Sequence, residues 1–226
     1  ELDAAGLYVL PGMLDCHAHI NDPGFTWRED LPHASEAAAV GGVTTLIDMP
    51  LQNTPPLTSA DAFANKLTVF EGRSLVDYAL WGGLVTDNTA ELAGMDAAGA
   101  VGFKAFIAPV SLGYSSVDMG LAREALFRIK AFGGLAGFHC EDHALICAGE
   151  AKAKAGGGTR RAFLDSRPVV AEVIATANVI ELARETGARV HICHVSHPRV
   201  AELVRRAQAD GLSVTGETCP HYLVFT

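Results

Sequence analysis

Short apolar runs alternate along the chain with longer stretches in which apolar residues recur every three or four positions. Runs at 13–20, 43–49, 78–85, 101–108, 135–139, 189–196 and 212–217 read as strands. Helical patterns lie between most of them. One covers 31–40 and stops at Gly41-Gly42. A second, capped by Thr58 or Ser59, runs to about 70, and a third follows Asp118 over 121–132. A long helix has Pro168 in its first turn, with Ser166 as N-cap, and runs to 186 before Gly187. Its apolar stripe is Val170, Val173, Ile174, Ala177 and Ile180. A last helix starts at Pro198 and ends near Gly211.

Strands alternating with helices predict an α/β fold with a parallel sheet built from βαβ units. A doubly wound sheet and a (β/α)8 barrel both fit this pattern. No linker divides the chain, so residues 1–226 read as one domain, with Gly156-Gly157-Gly158 as a loop.

Composition narrows the function. The 226 residues are 49% hydrophobic and 19% charged, which excludes a disordered chain. No apolar run is long enough for a membrane span, and no leader pattern opens the chain. A net charge of −9 argues against a nucleic-acid partner. The five cysteines are odd in number and contain no CxxC pair, which suggests a reducing, cytoplasmic setting. Cys16, Cys140 and Cys193 each adjoin a histidine and are expected to be small buried strand residues. The first strand starts close to Glu1, and no closing turn follows Phe225-Thr226, so both ends look cut.

The candidate chemistry lies in nine histidines and one lysine. His17 and His19 are two residues apart on the first strand, so both imidazoles point the same way, as a divalent-metal site needs. Lys104 lies in the otherwise apolar run Gly102-Phe103-Lys104-Ala105-Phe106-Ile107. A buried, unpaired ammonium there is costly; either it reaches out at the strand's end, or its neutral amine reacts or coordinates. His139 ends the fifth predicted strand and His194 lies on the sixth. His191 and His194 differ by three, so on a strand only one of them can face a shared centre. In a barrel, all these strand ends gather at one face. His33 and His197 read as surface residues, His143 as exposed, and His221 as a support to the last strand's motif.

Together these segments are specific. The run Val9-Leu10-Pro11-Gly12-Met13-Leu14-Asp15-Cys16-His17-Ala18-His19 is followed by Gly41-Gly42-Val43-Thr44-Thr45-Leu46-Ile47-Asp48-Met49-Pro50. Then come Gly102-Phe103-Lys104, His139, His194-Val195-Ser196 and Glu217-Thr218-Cys219-Pro220-His221-Tyr222. In this order they resemble the cyclic amidohydrolases: allantoinase, dihydropyrimidinase (hydantoinase) and dihydroorotase.

The resemblance implies an amidohydrolase-type (β/α)8 barrel, here incomplete, with seven strands and without the eighth strand and the flanking β-sandwich. It implies two divalent metal ions, zinc by default. His17 and His19 would hold one ion, and His139 and His194 the second. Lys104, carboxylated by carbon dioxide, would bridge both. A hydroxide between the ions would attack the ring amide, since metal charge lowers the pKa of bound water to about 7. The family's strand-eight aspartate is not in this chain; Asp48, in a strand-two motif, reads as a structural carboxylate. The chain alone is therefore expected to be an unclosed barrel that binds metal weakly. Homo-oligomers, dimers or tetramers, are common in the family. Asn21, in Asn21-Asp22-Pro23-Gly24, stands where dihydroorotases place a carboxylate-gripping arginine. It reads as a substrate contact and favours allantoin, a small cyclic ureide, as does Asp48-Met49-Pro50-Leu51. The loop at 109–113 matches allantoinase only in part, and Tyr114 lies ten residues past Lys104 rather than at the hydantoinase spacing of five. Hydantoinase or dihydroorotase activity are the alternatives. A non-catalytic scaffold of the dihydropyrimidinase-related kind is disfavoured, because the ligand set is intact.

Overall fold

The computed structural model describes residues 3–110 and 114–225; Ser111, Leu112 and Gly113, part of the loop compared above, lie outside the described residues. Among those described, eight strands form two parallel sheets. β1 (Met13–Ala18), β2 (Val43–Asp48) and β3 (Asp77–Leu80) make one. β4 (Gly82–Gly83), β5 (Phe103–Phe106), β6 (Leu135–His139), β7 (Arg189–Ile192) and β8 (Val214–Gly216) make the other. The third predicted strand is therefore split at Trp81. Trp81 N donates to Asp48 O at 2.9 Å, while Gly82 N donates to Gly102 O at 2.8 Å. Within two residues the chain passes from β2 to β5 as its neighbour, so β3 and β4 are one stave of a continuous wall.

Strand order follows chain order with no reversal. A doubly wound sheet reverses its order at a switch point, so the wall is a partial barrel of seven staves. The outer staves, β1 and β8, face each other across a cavity of about 610 Å³ lined from both sides, among others by Leu14, His17, Glu217 and His221.

The helices form where local chemistry supplies their ends. Asp30, Ser59, Asp118, Asp142 and Thr159 each accept a hydrogen bond from the backbone N–H three residues on. They cap α1 (Leu31–Val40), α2 (Ala60–Phe70), α4 (Met119–Ala131), α5 (His143–Ala155) and α6 (Arg160–Asp165), while the short α3 (Leu92–Ala97) has no side-chain cap. Gly187, at φ 66°, ends α7 (Val169–Thr186) in the left-handed conformation that glycine adopts without strain. α8 (Pro198–Ala209) is capped by His197, and α9 (Pro220–Val224) follows β8.

Two helix expectations need correction. Ser166 closes α6 rather than opening α7, whose N-cap is Pro168. The buried face of α7 is Ala171, Ala175, Val179, Ile180 and Ala183, whereas Val170 and Ile174 are exposed. α7 packs against α4, α8 and β7 at once, and small side chains let it approach all three.

The main core joins strand residues such as Phe103, Phe138, Val190 and Ile192 to Phe63, Leu126 and Ile129 from the helices. Inside the barrel lies Trp81, 4% exposed. Its Nε1–H points to Cys16 O at 3.4 Å, and its ring centroid is 6.4 Å from that of His191. A Cβ at Gly102 would lie 2.5 Å from this ring, and one at Gly137 2.9 Å away. Trp81 thus fills a space that Gly102 and Gly137 leave open. We expect Trp81→Ala to destabilise the chain by about 3–5 kcal/mol, read from the urea unfolding midpoint. A loss below about 1 kcal/mol would show that the interior collapses freely around the gap.

Candidate metal centre

Parallel strands place their carboxyl ends on one side, and the candidate residues gather there. His17 lies in β1 and His19 one residue beyond it; Lys104 lies in β5; His139 ends β6. His194 follows β7 by two residues and Glu217 follows β8 by one.

The five predicted ligands form one cluster. The His17 ring centroid is 5.3 Å from that of His19 and 5.4 Å from that of His194. His139 and His194 meet edge to face at 4.7 Å, with His139 Nδ1 3.1 Å from His194 Nε2. Lys104 is 1% exposed, and its Nζ has no hydrogen-bond partner among the described residues. It lies 5.2 Å from the Phe106 centroid, and Phe106 in turn stacks on His139 at 5.0 Å. Asn21 is also buried, with Oδ1 unpartnered among the described residues, and lies in the loop after β1.

Burial, helped by the charges of His17 and Lys104, lowers the His19 pKa to about 4. Burial, then the Lys104 and His139 charges, lowers that of His194 to about 2. Both imidazoles are neutral at pH 7, the form that ligates a metal.

Three residues at the site were not assigned to it from sequence. Glu217 binds His17 Nδ1, accepts from Cys16 Sγ at 3.1 Å and lies 3.5 Å from His191 Nε2. Burial pushes its carboxyl up, but the bonds from His17 and His191 hold it well below the usual carboxylate range. The rule that selected His139, a polar residue at the end of a predicted strand, selects Glu217 as well. Cys193 is buried as expected, and with His17 and Glu217 it offers donor atoms all within 4.8 Å of one another. Burial raises its thiol pKa, so Cys193 is a neutral thiol at pH 7. Glu141, hydrogen-bonded to His139, is the third.

Two further expectations are corrected here. Cys16 is exposed, because β1 is an outer stave and its side chain faces the cavity between β1 and β8. His191 and His194 both reach the cluster. β7 ends at Ile192 and His194 adopts φ 41°, which breaks the strand alternation and swings its ring to the side of His191. Tyr114 donates to the Lys104 carbonyl at 2.5 Å, so its hydroxyl is committed to the backbone of β5.

Asp48 serves the scaffold. It is fully buried, accepts from Ile20 N at 2.6 Å and lies 2.8 Å from Lys66 Nζ. Lys66 also donates to Ile20 O and Asn53 Oδ1. This pair ties α2, the end of β2 and the loop carrying Asn21 together. Burial pushes the Asp48 carboxyl up and the Lys66 ammonium down, and each charge opposes the other's shift.

The donor set suits a divalent ion. Neutral imidazoles and a buried amine without a hydrogen-bond partner among the described residues are what nitrogen ligation and lysine carboxylation require, and both lie in one cluster.

The comparisons agree with this arrangement. Allantoinase from Streptomyces avermitilis is 40% identical over 219 residues, covering 96% of this chain and 48% of its own length. Allantoinase from Bacillus velezensis is 40% identical over 227 residues, covering 100% of this chain and 50% of its own. Among solved structures, L-hydantoinase (dihydropyrimidinase) from Arthrobacter aurescens superposes with a TM-score of 0.95 at 39% identity, covering the whole chain and 50% of its own. The chain thus spans about half the length of the curated relatives it matches, and its partial barrel is of the amidohydrolase type. A family model described as dihydro-orotase-like matches residues 6–199, a stretch that holds all five clustered residues, and the chain belongs to that family.

Proposed function

We propose that this chain carries the metal centre of a cyclic amidohydrolase, and that the whole protein opens the ring of allantoin. Lys104 carries the reading: a fully buried amine with no hydrogen-bond partner among the described residues, set in the cluster of four imidazoles. His17 and His19 would hold one divalent ion, zinc by default, and His139 and His194 a second. Addition of carbon dioxide to Lys104 Nζ, with loss of two protons from the ammonium, gives a carbamate that both ions would share. This turns a costly buried cation into an anionic ligand. The ions, when bound, would polarise the ring carbonyl and lower the pKa of water toward about 7. His19 and His194 stay neutral and need lose no proton to bind them. The loop carrying Asn21, fixed by the Asp48–Lys66 pair, would contact the ring. Residues 1–226 act in this reading as one partial barrel domain.

The allantoinase relatives support allantoin as the substrate. The A. aurescens L-hydantoinase structure, at 39% identity, favours a hydantoin-type ring as the second reading. The test is ring opening by the metal-loaded whole protein of allantoin, dihydrouracil and dihydroorotate in parallel, with Lys104→Ala as control. We expect allantoin turnover that vanishes in the control. Turnover of dihydrouracil alone would replace the substrate, and no turnover of any ring would favour a non-catalytic scaffold.

A further inference from the structure

His139 shares its two ring nitrogens between different partners. Nδ1 faces His194, while Nε2 lies 2.7 Å from Glu141 Oε2. The same Oε2 accepts from Arg167 Nη1 at 2.6 Å. Arg167 Nη2 reaches Glu150 Oε1 in α5 at 2.9 Å, and its guanidinium lies 5.3 Å from the Phe163 centroid in α6. Glu141 is thus held from behind by a cation that α5 and α6 hold in turn. The oxygen that meets His139 is the one the guanidinium pairs, so Glu141 faces the ring as a carboxylate.

An ionised carboxylate only accepts hydrogen bonds. Nε2 of His139 must therefore carry the hydrogen, and Nδ1 keeps a free lone pair aimed at His194. From this geometry we infer that Glu141, braced by Arg167, fixes the tautomer of His139 and so selects Nδ1 as its metal-ligating atom. The inference rests on the reading of His139 and His194 as ligands of one ion. Glu141 and Arg167 are positioning residues, since neither touches the reacting atoms. An exposed ion pair contributes little; this one is partly buried, with side-chain exposures of 29% for Arg167 and 17% for Glu141, and it shares its oxygen with the ring.

Glu141→Gln tests this without changing the shape. A glutamine amide offers either a carbonyl to an Nε2–H or an N–H to a bare Nε2, so it loses the selection. Long-range 1H–15N spectra of the metal-free chain, with the ring assigned by His139→Asn, read the tautomer directly and need neither metal nor activity. We expect the Nε2–H form alone in the parent and a mixture in Glu141→Gln. Cobalt(II) titration should then show affinity about 10–100-fold weaker in the variant. Arg167→Met should give a milder form of both changes. Arg167→Lys, which cannot reach both carboxylates at once, should recover part of the loss. An Nδ1–H ring in the parent, or a Glu141→Gln ring unchanged from it, would overturn the inference. An unchanged ring in Arg167→Met would remove Arg167 from it. If His139 takes the Nε2–H form and no variant changes cobalt binding, the tautomer is fixed as stated and the ligand reading of His139 falls instead.

Discussion

Lys104→Met will make the chain more stable and leave the protein without its metal. The ammonium is buried with no polar partner among the described residues, and an unsatisfied buried charge of this kind is destabilising by about 1–3 kcal/mol. Methionine keeps the length and apolar stem and removes the charge, so urea unfolding should shift upward by about that amount. The shared anionic ligand disappears with the amine. Zinc content should fall steeply, and ring opening by the whole protein by on the order of a thousandfold, since ~4 kcal/mol of charge stabilisation is lost. Opposite signs for stability and function separate this residue from a structural lysine. A Lys104→Met chain that unfolds more easily, or that keeps its zinc, would end the ligand reading.

The second large effect runs the other way. Lys66→Met should destabilise the chain by about 3–5 kcal/mol, because it strands the Asp48 carboxylate with its cation removed. Asp48→Asn together with Lys66→Met should recover most of that loss, since an apolar or neutral pair in the same volume avoids both desolvation penalties. Urea unfolding of the two single variants and the double variant gives the coupling directly. Additive losses would show that the pair is not coupled. Two lysines, both 1% exposed, thus differ in their partners: Lys66 has a carboxylate 2.8 Å away, whereas Lys104 Nζ has no hydrogen-bond partner among the described residues.

That difference was not legible in the sequence, where Lys66 is an ordinary helical lysine. What could be read was local. β6 and α1 fall on their predicted residues, because an apolar run and a cap followed by glycines act over a few positions. The break at Trp81 was invisible, because the exchange of β2 for β5 as neighbour is decided by the curvature of the wall. The α7 stripe was misplaced because large aliphatics suggest a buried face, whereas close three-way packing selected alanine. Strand parity gave His17 and His19 correctly as a pair on one side and failed at His194, where the strand had already ended. Glu141 carries no motif of its own, and Glu217 opens the last strand's motif without a role assigned to it; both matter through what they touch.

The turn at His194 has an evolutionary corollary. Its φ of 41° suits glycine or asparagine better than most side chains, at a difference on the order of 1 kcal/mol. The backbone and the chemistry therefore ask for different residues at the same position. Drift that favours the fold alone would replace the histidine, so its retention in a lineage is a signature of selection on the centre. Libraries screened for thermal tolerance only would lose that imidazole early, and would return robust barrels with half a metal site.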